Sequence, residues 1–157
     1  MEKIEEAIVR ILMKQKKTLA LAESCTGGFI ANQITNVPGA SKIFLGGIVS
    51  YSNQAKQKFL GVRAKSLEQH GAVSEAVAQE MAAGARKRFG ADFAIAVTGI
   101  AGPSGGTKNK PVGTVFVALA DASGTQVLRK LNAFGRLKFK QATSRQALKL
   151  LENRLVG

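Results

Sequence analysis

The stretch TLALAESCTGG, Thr18–Gly28, gives the clearest indication of the fold class of this chain. Its first five residues, Thr18 to Ala22, form a short apolar run that predicts a buried strand, because a strand covered on both faces needs few polar positions. Small and polar residues follow at once, and Phe29 to Ile34 then has helical character that Asn36-Val37-Pro38-Gly39 ends. A buried strand that runs into a glycine-containing turn and a helix is typical of an α/β sheet.

Outward from this stretch, helical and strand patterns alternate and end in a hairpin and a helix. The other predicted elements are an N-terminal amphipathic helix of about four turns, a strand at Ile43–Tyr51, a helix from Ser52-Asn53 to Leu60, a turn at His70-Gly71, a helix at Glu75–Phe89, a strand at Phe93–Val97, paired strands at Thr114–Leu119 and Gln126–Phe134, and a helix at Leu137–Leu155. The glycine pair Gly46-Gly47 indicates a bulge or a close backbone approach. The order predicts one domain over residues 1–157, a three-layer α/β/α sandwich with a mixed, mostly parallel sheet.

Composition favours a cytoplasmic protein without a metal or other cofactor. The 157 residues are 45% hydrophobic, contain no apolar run long enough to span a membrane, and do not begin with a signal-peptide pattern. The single cysteine, Cys25, excludes an internal disulfide and suits a reducing compartment. One His and one Cys cannot build a zinc site by themselves, and no carboxylate cluster suggests two-metal chemistry.

The net charge of +13 is concentrated near the C-terminus. From Leu128 onward Glu152 is the only acid, against eight basic residues: Arg129, Lys130, Arg136, Lys138, Lys140, Arg145, Lys149 and Arg154. Such a field attracts anions of any kind. We interpret it as a solvated basic helix face, with no membrane partner. Nucleic acid is a weaker interpretation, because one Tyr and no Trp leave little for stacking on bases.

Three polar clusters are candidate sites, since ligands of open α/β sheets bind beyond the carboxyl ends of strands. Ser24 and Thr26 precede a helix and can bind an anion there, or cap that helix. The loop Thr98–Gly106 has four glycines within the eight residues Gly99–Gly106, which favours a ligand loop over a plain connection. The third cluster flanks the second strand and combines hydroxyls such as Ser41 with Lys56. It can be interpreted as a serine nucleophile with a lysine base, or simply as a solvated surface.

These clusters also carry a family resemblance. The runs LAESCTGG, GASKIFLGGIVSYSN with Lys56, HGAVSEAVAQEMAAGA, and TGIAGPSGG followed by KPVGTVFVAL resemble the CinA C-terminal domain over residues 5–155. The resemblance implies an α/β/α sandwich that pairs as a homodimer. It also implies deamidation of nicotinamide mononucleotide to nicotinate mononucleotide, in a stand-alone version without the N-terminal domain of longer members.

The resemblance implies site residues at Ser41, Tyr51, Thr98 and Arg136. Chemistry then suggests roles: Ser41 as nucleophile, Tyr51 and Lys56 in proton transfer, and Thr98 with nearby N–H groups as oxyanion stabilisers. The predicted substrate-binding residues are Ser24, Thr26, Gly27, Gly99, Ala101, Gly102 and Arg136. Family members show Phe-x-Gly-x-Arg where this chain reads Phe134-Gly135-Arg136, so Lys138 or Lys140 is an alternative to Arg136.

Two other functions compete with this expectation. The shortened Phe134-Gly135-Arg136 segment favours a non-catalytic module that binds a nucleotide or a partner protein, since a fold alone does not imply activity. The basic C-terminal helix favours a DNA-associated protein, whose affinity would fall steeply with salt.

Overall fold

Five strands form the centre of the computed structural model, which describes every residue from Met1 to Gly157. They are β1 (Leu19–Glu23), β2 (Phe44–Val49), β3 (Phe93–Gly99), β4 (Thr114–Asp121) and β5 (Gly124–Leu131). They lie in the order β2-β1-β3-β4-β5, with β1 parallel to β2 and β3, and with β4 antiparallel to β3 and β5. Four of the five strands therefore run in one direction, which confirms the predicted mixed, mostly parallel sheet.

Six helices cover the two faces of this sheet. They are α1 (Ile4–Gln15), α2 (Phe29–Thr35), α3 (Asn53–Leu60), α4 (Ala64–His70), α5 (Glu75–Phe89) and α6 (Arg136–Val156), and a short 3₁₀ turn spans Ala40–Lys42. Helices α1, α2 and α6 pack on one face, whereas α5 packs on the other and carries α3 and α4. The predicted three-layer α/β/α sandwich is confirmed.

The two faces of the sheet differ in side-chain size. The face below α1, α2 and α6 presents branched residues such as Leu19, Leu21 and Ile95, which join a core of 22 buried residues. The sheet residues on the face below α5 are mostly alanines, and α5 contributes alanines as well, namely Ala78, Ala82 and Ala85. Because alanine side chains fill little space, such a face allows a helix to pack close to the sheet.

Several predicted boundaries need correction. The segment before Gly71 is the helix α4, where the sequence predicted only a turn. Thr98 and Gly99 belong to β3 and not to the following loop, because they pair with Phe116 and Val115 of β4. Strand β5 ends at Leu131, three residues earlier than predicted.

The glycine pair in β2 has the predicted effect on the strand. Leu19 and Ala20 face Phe44 and Gly46, so the register shifts and Leu45 is the additional residue. A Cβ on Gly46 would lie 2.6 Å from the Phe89 ring, which explains why a glycine with a positive φ occupies this position.

The basic residues near the C-terminus lie on β5, α6 and the segment between them. Seven of the eight side chains are exposed, and only Lys140 is half-buried. Two of them form surface ion pairs, Lys149 with Glu152 and Arg154 with Asp121. None of the six helices combines the length and apolar character needed to cross a membrane.

The close approach of α3 and α5 yields a stability prediction at Gly84. A Cβ there would lie 1.8 Å from the carbonyl oxygen of Leu60, so Gly84→Ala should lower the free energy of unfolding by about 1–3 kcal/mol. The intrinsic helix propensity of alanine acts in the opposite direction by about 1 kcal/mol. Urea unfolding of the variant and the wild type measures the difference.

Ala83→Gly is the matched control, because Ala83 is exposed on the same helix. Propensity alone should make that variant less stable by about 0.5–1 kcal/mol. A Gly84→Ala protein as stable as the wild type would show that α3 and α5 are not in this close contact.

Candidate active site

The residues that follow β1, β2 and β3 converge at one edge of the sheet. Strand β1 lies between the other two, and parallel strands end at the same edge. The N–H of Ser24 donates to the carbonyl of Val97, and the N–H of Ser50 donates to the carbonyl of Glu23. Strand β2 ends at Val49, so Tyr51 lies outside the strand that was predicted to contain it.

The centre of this edge is a contact between a serine and a lysine. Lys56 lies one turn into α3, whose first turn is capped by the Ser52 hydroxyl. Its Nζ donates to Ser24 Oγ over 2.9 Å and to the carbonyl oxygen of Ser50 over 2.8 Å. Lys56 is only 2% exposed, although its helix lies on the surface. The side chain therefore points inward and holds its amine against the Ser24 hydroxyl.

Burial dominates the electrostatics of this pair. Desolvation lowers the pKa of Lys56 from its ordinary value, because the charged ammonium loses hydration inside the protein. No carboxylate lies within 4 Å of Lys56 Nζ to offset that loss. The neighbouring Cys25 thiol has its pKa raised to about 12, also chiefly by burial, and therefore stays protonated near neutral pH. Thus Lys56 has an environment that favours the neutral amine.

A cavity of about 290 Å³ adjoins the serine and the lysine. Its lining contains no Asp, Glu or His. The residues that line it are Ser24, Cys25, Tyr51, Asn53, Lys56, Ala72, Val73, Thr98, Gly99, Ile100, Ala101, Gly102, Ser104, Gly105 and Arg136. Nowhere in the chain do three His, Cys, Asp or Glu side chains lie close enough together to hold a metal ion. The chemistry that this cavity can support relies on hydroxyls, amines and backbone groups.

Unpaired backbone N–H groups lie on two sides of the cavity. Those of Cys25 and Thr26, directly after Ser24, donate to no group of the chain, and neither do those of Ala101 and Gly102. Free N–H groups beside a nucleophile can stabilise a developing oxyanion. In the loop after β3, the N–H groups of Ala101 and Gly102 are therefore available for the predicted role, whereas the Ile100 N–H is already bound to the carbonyl of Thr114.

The Glu23 carboxylate occupies the N-terminus of α2. It accepts the Thr26 hydroxyl over 2.6 Å and the N–H groups of Ile30 and Ala31, each over 2.9 Å. The predicted binding of phosphate by Thr26 and the α2 N-terminus is therefore wrong, because a carboxylate of the protein already takes these donors. Gly27 is exposed next to them, and its Cβ position lies 3.7 Å from Lys140 Nζ.

Thr98 also needs correction. Its hydroxyl donates to the carbonyl oxygen of Ala72 over 2.8 Å, so its proton is not available to an oxyanion. Thr98 is 1% exposed and holds the segment before α5 against β3. Its position in the cavity wall agrees with the prediction, but the contact indicates a positioning role.

Ser41 does not join the cluster. It lies exposed in the 3₁₀ turn that precedes β2, whereas Tyr51 and Lys56 follow this strand. A strand of six residues spans about 20 Å, so Ser41 and Lys56 lie at opposite edges of the sheet. The expected pairing of Ser41 with Lys56 is wrong within one chain, and Ser24 stands where Ser41 was expected.

Arg136 and Tyr51 meet at the entrance of the cavity. Arg136 begins α6, and its guanidinium donates to the Tyr51 hydroxyl over 3.2 Å and to the Gly102 carbonyl. The shortened Phe134-Gly135-Arg136 segment thus still delivers an arginine to the site. Lys140 follows one turn later on α6 and lies near Gly27, whereas Lys138 lies in another surface hollow beside α1.

Sequence reasoning assigned no role to Glu23, Ala72 or Val73, and it named Lys140 only as an alternative to Arg136. The position of Glu23 at the end of an apolar strand and before a helix carried a signal, since buried acids commonly serve as helix caps. The others reach the site only through the packing of α4, α5 and α6, which no local pattern encodes.

Comparisons with known proteins agree with one another. The family model of the CinA C-terminal domain matches residues 1–155. A CinA-like protein of Thermotoga maritima is 59% identical over 116 residues, 74% of this chain and 28% of that protein. A competence-damage inducible protein of Thermoanaerobacter sp. (strain X514) is 49% identical over 156 residues, 99% of this chain and 38% of that protein. The chain thus spans about 28–38% of the length of these relatives.

Solved structures match over almost their whole length. The competence/damage inducible protein CihA of Agrobacterium tumefaciens has a TM-score of 0.88 at 40% identity, covering 100% of this chain and 98% of that chain. The competence damage-inducible protein A of Klebsiella pneumoniae has a TM-score of 0.94 at 37% identity, covering 98% and 95%.

The buried Glu23 cap provides a test of how the site is held. Glu23→Gln replaces one carboxylate oxygen by an NH2 group, which cannot accept a hydrogen bond, so the free energy of unfolding should fall by about 1–3 kcal/mol. Chemical denaturation measures it. Glu75→Gln, in the exposed first turn of α5, should stay within about 0.5 kcal/mol of the wild type. Equal effects of the two changes would refute a structural role for the Glu23 carboxylate.

Proposed function

The chain belongs to the CinA C-terminal domain family, and on this premise we propose that it is an amidohydrolase that converts nicotinamide mononucleotide to nicotinate mononucleotide and ammonia. The observation that carries the proposal is the 2.9 Å hydrogen bond from Lys56 Nζ to Ser24 Oγ beside a cavity without carboxylates. A serine nucleophile with an adjacent base is a general solution for acyl transfer, and lysine serves as that base in several unrelated folds.

In the first half-reaction, Ser24 Oγ attacks the carboxamide carbon while Lys56, as the neutral amine, accepts the serine proton. The lysine is suited to this step because burial lowers its pKa and therefore increases the fraction that is neutral. The resulting ammonium of Lys56 then donates a proton to the departing nitrogen. Ammonia leaves, the C–N bond breaks, and the nicotinoyl group remains as an ester on Ser24.

The oxyanion of the tetrahedral intermediate needs hydrogen-bond donors that are already in place. The N–H groups of Cys25 and Thr26 directly follow the nucleophile in the chain, and Cys25, Ala101 and Gly102 line the cavity. All four are unpaired within the chain. Removal of one such donor typically reduces turnover by about 10²–10³.

In the second half-reaction, water attacks the ester. Lys56, neutral again after it has released its proton to ammonia, accepts a proton from the water and returns one to Ser24 Oγ. The product then leaves as the carboxylic acid, which loses its remaining proton to the solvent and becomes the carboxylate. The same two side chains complete both halves, which is consistent with a cavity whose lining contains no Asp, Glu or His.

The ribose phosphate of the substrate is assigned to the cavity entrance. Arg136 and Lys140 are one helical turn apart at the start of α6, and Arg136 lines the cavity. A guanidinium and an ammonium at this spacing suit a phosphate dianion. Gly27 leaves room beside Lys140, because it has no side chain.

The non-catalytic alternative loses its main support. It depended on the shortened Phe134-Gly135-Arg136 segment, but Arg136 still contacts Tyr51 and Gly102 at the cavity. A buried amine held against a hydroxyl, without a counter-ion, is costly for a module that only binds.

The assignment of the nucleophile predicts a contrast between two serines. Ser24→Ala should reduce ammonia release from nicotinamide mononucleotide by at least about 10³-fold, because no other hydroxyl is hydrogen-bonded to Lys56. Ser41→Ala should retain turnover near that of the wild type, since Ser41 lies at the opposite edge of the sheet. The assay includes a chelator, which should leave the wild-type rate unchanged. Loss of activity in Ser41→Ala alone would return the nucleophile role to Ser41.

The role of Lys56 predicts the direction of the pH dependence. The neutral amine is the active form, so kcat/KM should rise with pH, about tenfold per unit, until it levels off at the lowered pKa of Lys56. Lys56→Arg should be inactive at every pH, because a guanidinium does not give up its proton in proteins. A rate that falls as pH rises through this range would exclude Lys56 as the base.

A further inference from the structure

The charges around the Ser24–Lys56 pair pose a problem for the substrate of the proposed function. The lining of the cavity includes two potential cations, Lys56 and Arg136, and no carboxylate. The pyridine ring of nicotinamide mononucleotide carries a positive charge of its own. An anionic partner for that ring is therefore missing from the cavity wall.

The groups around Lys56 supply no such partner. On the β1–α2 segment, Cys25 is a protonated thiol, and the Glu23 carboxylate is turned to the N-terminus of α2. On α5, Glu80 is paired with Arg63 beyond the end of α3. The other titratable groups near the site are the Tyr51 phenol and Lys140, of which the latter adds positive charge.

The geometry of attack brings the two positive charges close together. The carbonyl carbon must approach Ser24 Oγ to about 3–3.5 Å, and Ser24 Oγ is 2.9 Å from Lys56 Nζ. The ring nitrogen then lies about 7 Å from Lys56 Nζ. At an effective dielectric constant of about 20, a unit charge at this distance changes a protonation equilibrium by about 50-fold.

We propose that the pyridinium charge of the substrate drives the proton off Lys56, so that binding of the substrate itself generates the neutral base. Binding and deprotonation are linked, so each favours the other by the same factor. A neutral ring leaves Lys56 with the protonation of the free protein. A cationic ring shifts Lys56 towards the neutral amine as it binds. A carboxylate in the lining would cancel this effect, so its absence has a functional meaning. This inference rests on the proposed function.

The test compares two ligands that differ only in ring charge. Nicotinamide mononucleotide has a pyridinium ring, and its reduced form has an uncharged dihydropyridine ring with the same carboxamide and ribose phosphate. Calorimetric titration of Ser24→Ala protein, in buffers of different ionisation enthalpy, counts the protons released on binding. Working above about pH 8 keeps the phosphate of both ligands dianionic, since its second pKa is about 6.

We expect the cationic ligand to release up to one proton and the neutral ligand clearly less. While Lys56 remains charged in the free protein, the affinity for the cationic ligand should rise, relative to that for the neutral ligand, by up to about tenfold per pH unit. Lys56→Met, added to Ser24→Ala, should abolish the difference in release. Lys58→Met should preserve it, because Lys58 is exposed on the same helix.

Equal proton release by the two ligands would overturn the inference even if wild-type protein releases ammonia. Failure of wild-type protein to release ammonia would instead overturn the proposed function, and the inference with it. Because the two ligands are compared on one protein, the result does not depend on whether the Lys56→Met variant folds.

Discussion

The burial of the Lys56 amine without a counter-ion is the constraint on which the site depends. An ammonium or amine in such a place must keep hydrogen-bond acceptors, and the protein provides the Ser24 hydroxyl and the Ser50 carbonyl. Both acceptors belong to segments that leave the sheet at the same edge, and Ser50 is in turn bound to the carbonyl of Glu23. The position of the amine is thus set by the ends of two neighbouring strands.

The Glu23 carboxylate holds the other side of this arrangement. It immediately precedes Ser24, the proposed nucleophile, and its bonds to Thr26, Ile30 and Ala31 fix the start of α2 relative to that residue. These bonds also leave the N–H groups of Cys25 and Thr26 unpaired, since the chain turns there without entering the helix. One buried acid therefore supports α2 and leaves two donors free for chemistry, while its charge is directed away from Lys56.

Much of the fold was predictable because its signals are local. The Ser52 and Ser74 caps and the apolar runs of β1, β3 and β4 identify their elements directly. The site was less predictable, because the distance between Ser41 and Lys56 depends on strand direction. Both residues flank β2, but only the residues after a strand reach the carboxyl edge. Ser24 reaches Lys56 because β1 lies beside β2, an order that no local pattern encodes.

The charge of the whole chain acts in the same direction as the burial of Lys56. A net charge of +13 produces a positive potential that disfavours a further buried cation and attracts a phosphate to the entrance of the cavity. Arg136 and Lys140 concentrate this potential at the start of α6, on the side where Gly27 leaves the surface open. In the proposed mechanism, the excess of basic residues attracts the anionic end of the ligand. The absence of a carboxylate favours the neutral form of the amine beside Ser24, which can accept a proton. A carboxylate near Lys56 would stabilise the ammonium and so reduce the fraction of neutral amine, and its absence from the lining therefore favours the proposed mechanism.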